Sequence, residues 1–414
     1  MLKKIDVSEL RLGMHLHALE GSWLAHPFWR TRFVVTKEAD VLAVRGSGLS
    51  ECWIDTSKGL DVARAAPAGP FAPARFDPVG PALPHPEPAV VSDPVPPPSA
   101  SFEDEIVQAA RLCRKSKDAV QQLFGELRLG KAVNAEKFQP LVEELTESVF
   151  RNPGALVSLS RLKTKDDYTY MHSVAVCALM ISLARELGLA AAACREAGMA
   201  GLLHDVGKAM MPLDILNKPG KLTDAEFDVM RTHPGLGHGL LVEGGAGAVA
   251  MDVCLHHHER VDGTGYPHGL KGDALSQMAR MGAICDVYDA LSSVRPYKAA
   301  WDPADCVSRM ASWAGHFDPT LFSVLVRTLG IYPTGSLVRL RSGKLAVVVQ
   351  QHPKDLTAPT VKVFFSTKSN LPIAVMVVDL FRSASTDAIV AREPREKWNF
   401  PHLDEMWGGE AARR

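Results

Sequence analysis

Paired cysteines, an excess of one charge and long apolar runs are all missing from this chain of 414 residues. Its seven cysteines are scattered and include no Cys-x-x-Cys pair, which indicates reduced thiols rather than a disulfide framework. The formal net charge is −1, so no basic field favours binding to a nucleic-acid polymer. No run of about 18 apolar residues predicts a membrane span, and no apolar segment follows Lys3 and Lys4 as a secretory signal requires. We therefore expect a soluble, cytoplasmic protein that has no membrane partner.

One segment is very rich in proline and marks a domain boundary. Residues 67–98 contain 12 of the 28 prolines of the chain. Such a segment lacks the backbone donors of a helix or a sheet and cannot bury a core, so it predicts an extended linker. The length of the chain is in keeping with two or three domains on the two sides of this linker.

The residues before the linker have the pattern of a small α+β module. Residues 32–36 and 51–55 are rich in β-branched and aromatic side chains and predict strands, and residues 37–45 predict a helix. No group of catalytic side chains stands out, so we interpret the module as regulatory, with a protein as one conceivable partner. The side chains expected in its core or in structural roles are Trp23, His26, Phe28 and Trp29.

Helical periodicity dominates after residue 101. Ile106, Ala109, Ala110 and Cys113 predict the apolar stripe of a first helix, which continues to Leu127. This helix and a second one over residues 138–149 could pack on the following helices or pair with another subunit, so a homodimer is left open. The pattern stays helical to about residue 331. Alternation with period two then predicts strands at residues 337–340, 345–350 and 361–366.

Histidines and carboxylates are concentrated after residue 203, at a density that a polynuclear transition-metal site requires. His204 and Asp205 are adjacent, so on a helix their side chains diverge by about 100°, and a carboxylate can bridge two cations. Lys208 lies four residues after His204, on the same face, where it can meet an anion held by the metals. The adjacent His257 and His258 likewise suit two neighbouring metals.

Two aspartates one turn apart extend this set. Asp286 lies in an apolar helical segment, where an unpaired carboxylate is costly and a metal ion removes the cost. Asp289 either orients a ligand or caps a loop. His256, the first of three consecutive histidines, is a ligand, an outer residue of the site or exposed.

The motifs of this region together resemble the HD-GYP family, a branch of the HD metallophosphohydrolases that degrades the bacterial second messenger cyclic di-GMP. The similarity covers about residues 150–335, and residues 1–60 resemble the uncharacterised N-terminal domain often fused to such proteins. The motifs are His204-Asp205, the loop Pro212 to Gly220, His257-His258-Glu259, Asp262-Gly263-Thr264-Gly265-Tyr266-Pro267, Asp286-Val287-Tyr288-Asp289-Ala290-Leu291 and Arg295-Pro296-Tyr297.

The resemblance implies a role for each matching residue. Asp205 would bridge two metals, and Tyr168 stands where some members carry a carboxylate for a third, so we expect two. The family commonly uses iron or manganese, and the ligand types also admit zinc or nickel. The implied metal ligands are His172, His204, Asp205, His233, His257, His258 and Asp286. The implied substrate contacts are Lys208, Arg295 and Lys298 for phosphate, and Gly265, Tyr266 and Pro267 in the loop at the edge of the site.

The expected fold is mainly α, with an HD-type all-helical catalytic domain, a small N-terminal α+β domain and a short C-terminal β appendage. The expected parts are residues 1–62 for the N-terminal domain, 63–100 for the linker, 101–150 for connecting helices, 151–335 for the catalytic domain and 336–414 for the appendage and tail.

The expected reaction is hydrolysis of cyclic di-GMP to pGpG by a hydroxide activated at a binuclear metal centre, with further conversion to GMP left open. Asp205 and Lys208 are the expected catalytic residues, and Lys208 is a candidate general acid. Two alternatives remain: a phosphohydrolase of the same superfamily acting on another nucleotide, and a catalytically silent receptor for the dinucleotide.

Overall fold

The computed structural model describes residues 2–19, 33–35, 38, 41, 45, 51–60, 100–163, 167–293, 301–383 and 386–413. The chain divides into two compact units, Met1–Ser92 and Asp93–Arg414. Within the described ranges no helix is both long and apolar enough to cross a membrane. The predicted linker, most of the predicted helix over residues 37–45, and the side chains of Trp23, His26, Phe28 and Trp29 lie outside the described residues.

The N-terminal unit contains a four-stranded antiparallel sheet. Its strands are β1 (Leu2–Asp6), β2 (His15–Leu19), β3 (Phe33–Val34) and β4 (Glu51–Asp55), in the order β1-β4-β2-β3. Apolar side chains such as Leu10, Met14 and Ile54 are fully buried beside the sheet. The strand predicted at residues 51–55 is confirmed. Strands β1 and β2 were not predicted, because the lysines and histidines in them weaken the apolar alternation.

The second unit is mainly helical, as predicted. In the part of the chain that the structure describes, its helices are α1 (Phe102–Arg128), α2 (Gln139–Arg151), α3 (Pro153–Ser160), α4 (Tyr168–Glu186), α5 (Ala191–Leu203), α6 (Leu213–Leu216), α7 (Asp224–Met230), α8 (His233–Glu243), α9 (Ala248–His256), α10 (Gln277–Ser292), α11 (Pro303–Ser312), α12 (Pro319–Leu329) and α13 (Leu403–Gly408).

The first long helix forms where its sequence predicts it. The Ser101 side chain caps α1 by accepting a hydrogen bond from the backbone N–H of Asp104, and acidic residues fill the first turn, which suits the positive end of the helix dipole. The predicted apolar stripe from Ile106 to Leu127 is buried, and α1 packs on α3 and α4. The stripe therefore faces the interior of the helical unit.

Helix α4 lies at the centre of this unit. It is buried continuously from Met171 to Ala184 and packs against α1, α3, α5, α10 and α12. Gly201 of α5 permits close approach of the two helices, because a Cβ at that position would lie 2.9 Å from the backbone nitrogen of Cys177. His172, the residue of α4 that carries site chemistry, is therefore held on a rigid element.

The residues after 336 form a five-stranded antiparallel sheet in the order β8-β7-β6-β5-β9. The strands are β5 (Leu337–Leu340), β6 (Lys344–Gln350), β7 (Thr360–Ser366), β8 (Leu371–Asp379) and β9 (Ile389–Arg392). The first three were predicted, and β8 and β9 were missed. Strand β8 lies at an edge of the sheet and is an almost continuous apolar run, so the period-two signal is absent from it. The predicted fold class is confirmed.

Candidate metal centre

Five helices bring histidines and aspartates together in the interior of the helical unit. All but His258 are at least nine-tenths buried, and the side chain of His258 is 21% exposed. In chain order they are His172 in α4, His204 and Asp205 directly after α5, His233 at the start of α8, His257 and His258 directly after α9, and Asp286 in α10.

Asp205 lies between two groups of imidazoles and is fully buried. Its Oδ1 lies 3.2 Å from Nε2 of His233 and 3.6 Å from Nε2 of His257. Its Oδ2 lies 3.4 Å from Nε2 of His172 and 3.3 Å from Nε2 of His204. Each carboxylate oxygen therefore faces its own pair of ring nitrogens.

Asp286 reaches the same two groups from the opposite helix. Its Oδ1 lies 2.9 Å from Nε2 of His172 and 3.9 Å from Nε2 of His204. Its Oδ2 lies 3.6 Å from Nδ1 of His258. Although Asp286 lies in an apolar helix, its carboxylate faces ring nitrogens, so its charge is not buried among apolar side chains alone.

Backbone carbonyls set the orientation of three of the rings. Nδ1 of His204 lies 2.7 Å from the carbonyl oxygen of Gly201, and Nδ1 of His233 lies 2.7 Å from that of Met230. His257 repeats the pattern, with 2.9 Å from its Nδ1 to the carbonyl oxygen of Cys254. Because a carbonyl oxygen can only accept, each Nδ1 carries the proton, and each Nε2 presents a lone pair to the centre of the cluster.

His172 is oriented by a charged pair instead. Its Nδ1 lies 2.6 Å from Oδ2 of Asp289, and Nζ of Lys163 lies 2.5 Å from the same oxygen. Ser293 donates a hydrogen bond of 3.1 Å to the other oxygen. The Lys163 and Asp289 side chains are at most 2% exposed. Asp289 therefore orients the ring of His172, and Lys163 is a neighbour of the cluster that sequence reasoning missed.

The donor arrangement fits divalent metal ions. With Nδ1 protonated, lone pairs face one another: Nε2 of His233 lies 3.3 Å from Nε2 of His257, and both face Oδ1 of Asp205. Within the described residues, Oδ1 of Asp205 and Nε2 of His204 are buried without a hydrogen-bond partner. Buried acceptors that face acceptors are costly unless a cation lies between them. Nitrogen and oxygen donors of this kind suit first-row transition metals.

Electrostatics keep the carboxylates ionised and most of the imidazoles neutral. Burial alone raises the pKa of Asp205, but Lys208 and His204 outweigh it and hold that pKa well below its usual range. Burial lowers the pKa of His233 to about 4 and lowers the pKa of His258 well below its ordinary value. Burial also acts to lower the pKa of His172, yet hydrogen bonds to Asp286 and Asp289 raise it overall. Neutral imidazoles and ionised carboxylates are the forms that bind metals.

Lys208 lies at the side of the cluster, one turn after the His-Asp pair. Its Nζ lies 2.5 Å from Oδ2 of Asp205, and its side chain is 19% exposed. The sequence placed Lys208 on the face of His204, and the structure brings its ammonium group to the carboxylate of Asp205. A cation in this position is available to an anion that enters the site from solvent.

The Gly265-Tyr266-Pro267 loop borders the cluster on its open side. The backbone N–H of Tyr266 donates to the carbonyl oxygen of His258, and the two rings lie 4.7 Å apart. Only glycine fits at position 265, because a Cβ there would lie 2.4 Å from the Cα of Glu259. The peptide bond between Tyr266 and Pro267 is cis. The loop is therefore packed directly onto the run of histidines.

Glu259 anchors the far end of the same loop. Its side chain is buried, and its two oxygens accept hydrogen bonds from the backbone N–H groups of His268, at 2.7 Å, and Leu270, at 3.2 Å. Sequence reasoning used Glu259 only as part of the His-His-Glu motif. Its position directly after the histidine pair was the available signal.

The outcome differs for four other residues that the sequence singled out. His256 points away from the cluster, and its Nδ1 lies 2.8 Å from Oδ1 of Asp252. Tyr168, one turn before His172, stacks on that ring with centroids 5.6 Å apart, so an aromatic ring covers this side of His172. Arg295 and Lys298, the expected phosphate contacts, lie outside the described residues.

Two protein families match successive parts of the chain. A domain of unknown function, DUF3391, matches residues 2–138, and the HD domain matches residues 148–321. The HD match contains every residue of the histidine and aspartate cluster described above.

Three relatives show how far the similarity extends. The cyclic di-GMP phosphodiesterase PA4108 of Pseudomonas aeruginosa is 53% identical over 411 residues, which cover 99% of this chain and 96% of that protein. The cyclic di-GMP phosphodiesterase response regulator RpfG of Xanthomonas campestris is 43% identical over 35% of this chain and 39% of its own length. The 3'3'-cGAMP-specific phosphodiesterase 1 of Vibrio cholerae is 35% identical over 42% of this chain and 41% of its own length.

Proposed function

The chain belongs to the HD-GYP family of cyclic di-GMP phosphodiesterases, and from this premise we propose that it hydrolyses cyclic di-GMP with a metal centre built on Asp205. The observation that carries the proposal is the pair of separate imidazole groups faced by the two oxygens of this one buried carboxylate. A receptor without catalytic activity has no need for so complete and so deeply buried a set of donors.

We propose two metal ions, held by two groups of side chains that share Asp205. The donor types favour iron or manganese, and zinc or nickel are the alternatives. Bound divalent cations supply the activated water and the stabilisation of phosphoryl charge that hydrolysis of a phosphodiester requires. The first proposed group is His172, His204, Asp205 and Asp286, and the second is Asp205, His233, His257 and His258.

The chain's own residues have three tasks in this proposal. Asp289 and Lys163 hold the ring of His172, so that its Nε2 stays directed at the carboxylates. Lys208 approaches from the solvent side and stabilises negative charge on the phosphoryl oxygens, and it is the proposed general acid. Tyr266, packed on His258, closes the edge of the site where the substrate enters.

Further substrate contacts are proposed from the family resemblance. They are Gly265, Tyr266 and Pro267 in the loop, together with Arg295 and Lys298. The proposed product is pGpG, with GMP as a further product if the linear dinucleotide is also accepted. A second substrate, 3'3'-cGAMP, is favoured by the relative in Vibrio cholerae that carries this specificity in its name.

We also propose a domain organisation, a cellular location and an oligomeric state for the protein. Residues 1–62 would form a regulatory domain that binds a protein partner, 63–100 a linker, 101–150 connecting helices, 151–335 the catalytic domain and 336–414 an appendage. All seven cysteines are buried free thiols, which supports a reducing, cytoplasmic location. A homodimer through the surface of the connecting helices completes the proposal.

The test is turnover of cyclic di-GMP by protein purified without oxygen and loaded with Mn²⁺ or Fe²⁺. We expect the wild type to release pGpG, Asp205→Ala to release none above background, and Asp118→Ala, an exposed aspartate of α1, to match the wild type. A panel with 3'3'-cGAMP distinguishes the two substrates. Full metal loading without turnover of cyclic di-GMP would overturn the substrate assignment.

A further inference from the structure

An exposed arginine stands at the entrance to the metal centre, and the reaction as described gives it no task. Arg231 directly follows α7 and lies two residues before His233. Its side chain is 44% exposed, so its guanidinium group is in contact with solvent. Arginine is suited to phosphate recognition, because its planar N–H groups match two phosphoryl oxygens at once.

Two aromatic rings hold this guanidinium group in place. It lies 4.9 Å from the ring centre of Tyr266 and 5.9 Å from that of Phe227. The two rings meet edge to face, with centroids 6.4 Å apart. Contacts between a cation and aromatic faces fix the plane of the guanidinium group while its N–H edge stays free to bind. The arginine is therefore ordered before any ligand arrives.

The same stack limits the distance from Arg231 to the metal centre. One step of 4.7 Å separates the rings of His258 and Tyr266, and one step of 4.9 Å separates Tyr266 from the guanidinium carbon. The guanidinium carbon therefore lies at most 9.6 Å (4.7 Å + 4.9 Å) from the ring centre of His258, a distance that a ligand the size of a dinucleotide can span. A ligand with one anionic group at the histidines can thus place a second anionic group at Arg231.

Among the residues that the structure describes, the competing interactions of Arg231 are weak. Its ion pair with Asp228 has a separation of 4.0 Å, and the side chain of Asp228 is 75% exposed. Solvent screens such a pair almost completely. A phosphodiester that enters the site therefore displaces little when it binds the guanidinium group.

A cyclic dinucleotide has two phosphodiester groups, one nucleotide apart, and only one of them reacts in a given step. We infer that Arg231, held by Phe227 and Tyr266, binds the second, non-reacting phosphodiester of the cyclic dinucleotide. This inference rests on the proposed function and extends it, because it separates recognition of the ring-shaped substrate from the chemistry at the metals. It makes Arg231 a determinant of specificity for cyclic dinucleotides over simple phosphodiesters.

The experiment compares Arg231→Ala, Arg231→Lys and the wild type on three substrates in metal-loaded protein. Cyclic di-GMP and 3'3'-cGAMP carry the second diester with different bases, and bis(p-nitrophenyl) phosphate carries only one diester. For Arg231→Ala we expect KM to rise about 10- to 100-fold for both dinucleotides, the effect of losing a charged hydrogen bond. The rise for bis(p-nitrophenyl) phosphate is at least about tenfold smaller, and Arg231→Lys recovers part of the affinity because it restores the charge.

The matched control is Arg327→Ala, an arginine of α12 that is 49% exposed and paired with Glu186 on another face. It is expected to leave all three KM values at the wild-type level. Metal content per chain and the melting temperature of each variant show whether the centre and the fold are intact. A KM for the dinucleotides that does not change in Arg231→Ala, or an equal rise on all three substrates, overturns the inference.

The experiment distinguishes failure of the proposed function from failure of the inference about Arg231. If the wild type turns over neither dinucleotide, that function fails, and the inference is then read from calorimetric binding of cyclic di-GMP to the wild type and Arg231→Ala. Binding weakened about 10- to 100-fold by the substitution supports the subsite without catalysis. Equal binding by the two proteins, or no binding by the wild type, removes the inference as well.

Discussion

Nδ1 of His172 and Oδ2 of Asp289 lie 2.6 Å apart inside the helical unit, although 117 positions separate them in the chain. The contact turns Nε2 of His172 toward Asp205 and Asp286. Lys163 holds the same carboxylate from a third segment. The orientation of one proposed ligand thus depends on a buried pair of opposite charges that takes no part in ligation itself.

Asp289→Asn is expected to weaken metal binding about 10- to 100-fold, because an amide no longer offers a charged acceptor to Nδ1 of His172. The measurement is calorimetric titration of metal-free protein with Mn²⁺, together with metal content per chain. Asp118→Asn, at an exposed position of α1, serves as the matched control and should bind like the wild type. Equal affinity in the two variants would show that Asp289 does not orient the ring.

Lys163→Met is expected to lower the free energy of unfolding by about 3–5 kcal/mol, since it leaves the Asp289 charge buried without its ammonium partner. Lys115→Met breaks an exposed pair with Glu144, in which the lysine side chain is 56% exposed, and should cost less than about 1 kcal/mol. Urea unfolding of metal-free protein measures both. Adding Asp289→Leu to Lys163→Met should recover stability; a double variant less stable than the single one would contradict the charge argument.

Glu259→Gln is expected to loosen the loop that carries Tyr266. The buried carboxylate accepts N–H groups from His268 and Leu270, and replacing a charged acceptor by a neutral one should cost about 1–3 kcal/mol of stability. Urea unfolding measures the loss, and limited proteolysis should show faster cleavage within residues 260–272. Glu243→Gln, at the exposed end of α8, is the control. Cleavage at the wild-type rate would mean that other contacts hold the loop.

The stability of metal-free protein should fall as the pH drops from about 6.5 to about 4. Burial lowers the pKa of His233 to about 4, whereas the pKa of an unfolded histidine lies near its ordinary value of 6.5. Between these values the unfolded state binds a proton that the folded state does not, so acid favours unfolding. His233→Gln removes this contribution, and its free energy of unfolding should depend less steeply on pH over the same window. Parallel pH profiles for the two proteins would refute the assignment to His233.

The sequence predicted the helices and strands whose apolar residues recur with the period of the buried face. The apolar stripe from Ile106 to Leu127 is buried on one face of α1. Alternate residues of β5, β6 and β7, such as Val338, Ala346 and Val361, lie in one buried cluster, and β6 is buried on its other face as well. Strand β8 was missed because its residues are almost all apolar, so apolar and polar side chains do not alternate along it. Strands β1 and β2 were missed because the lysines of β1 and the histidines of β2 weaken the apolar alternation.

For the site, the sequence by itself determined which residue types are available and which are adjacent. The pairs His204-Asp205 and His257-His258 come from neighbouring positions, and adjacency alone lets each pair address two metals. Tertiary structure decided the rest. It set which ring nitrogens the two Asp205 oxygens face, the contacts among Lys163, Asp289 and His172, and the contact of the Arg231 guanidinium group with the ring of Tyr266. Most of these contacts join segments that are distant in the chain. The packing of whole helices sets such distances, and no local pattern of residues encodes them.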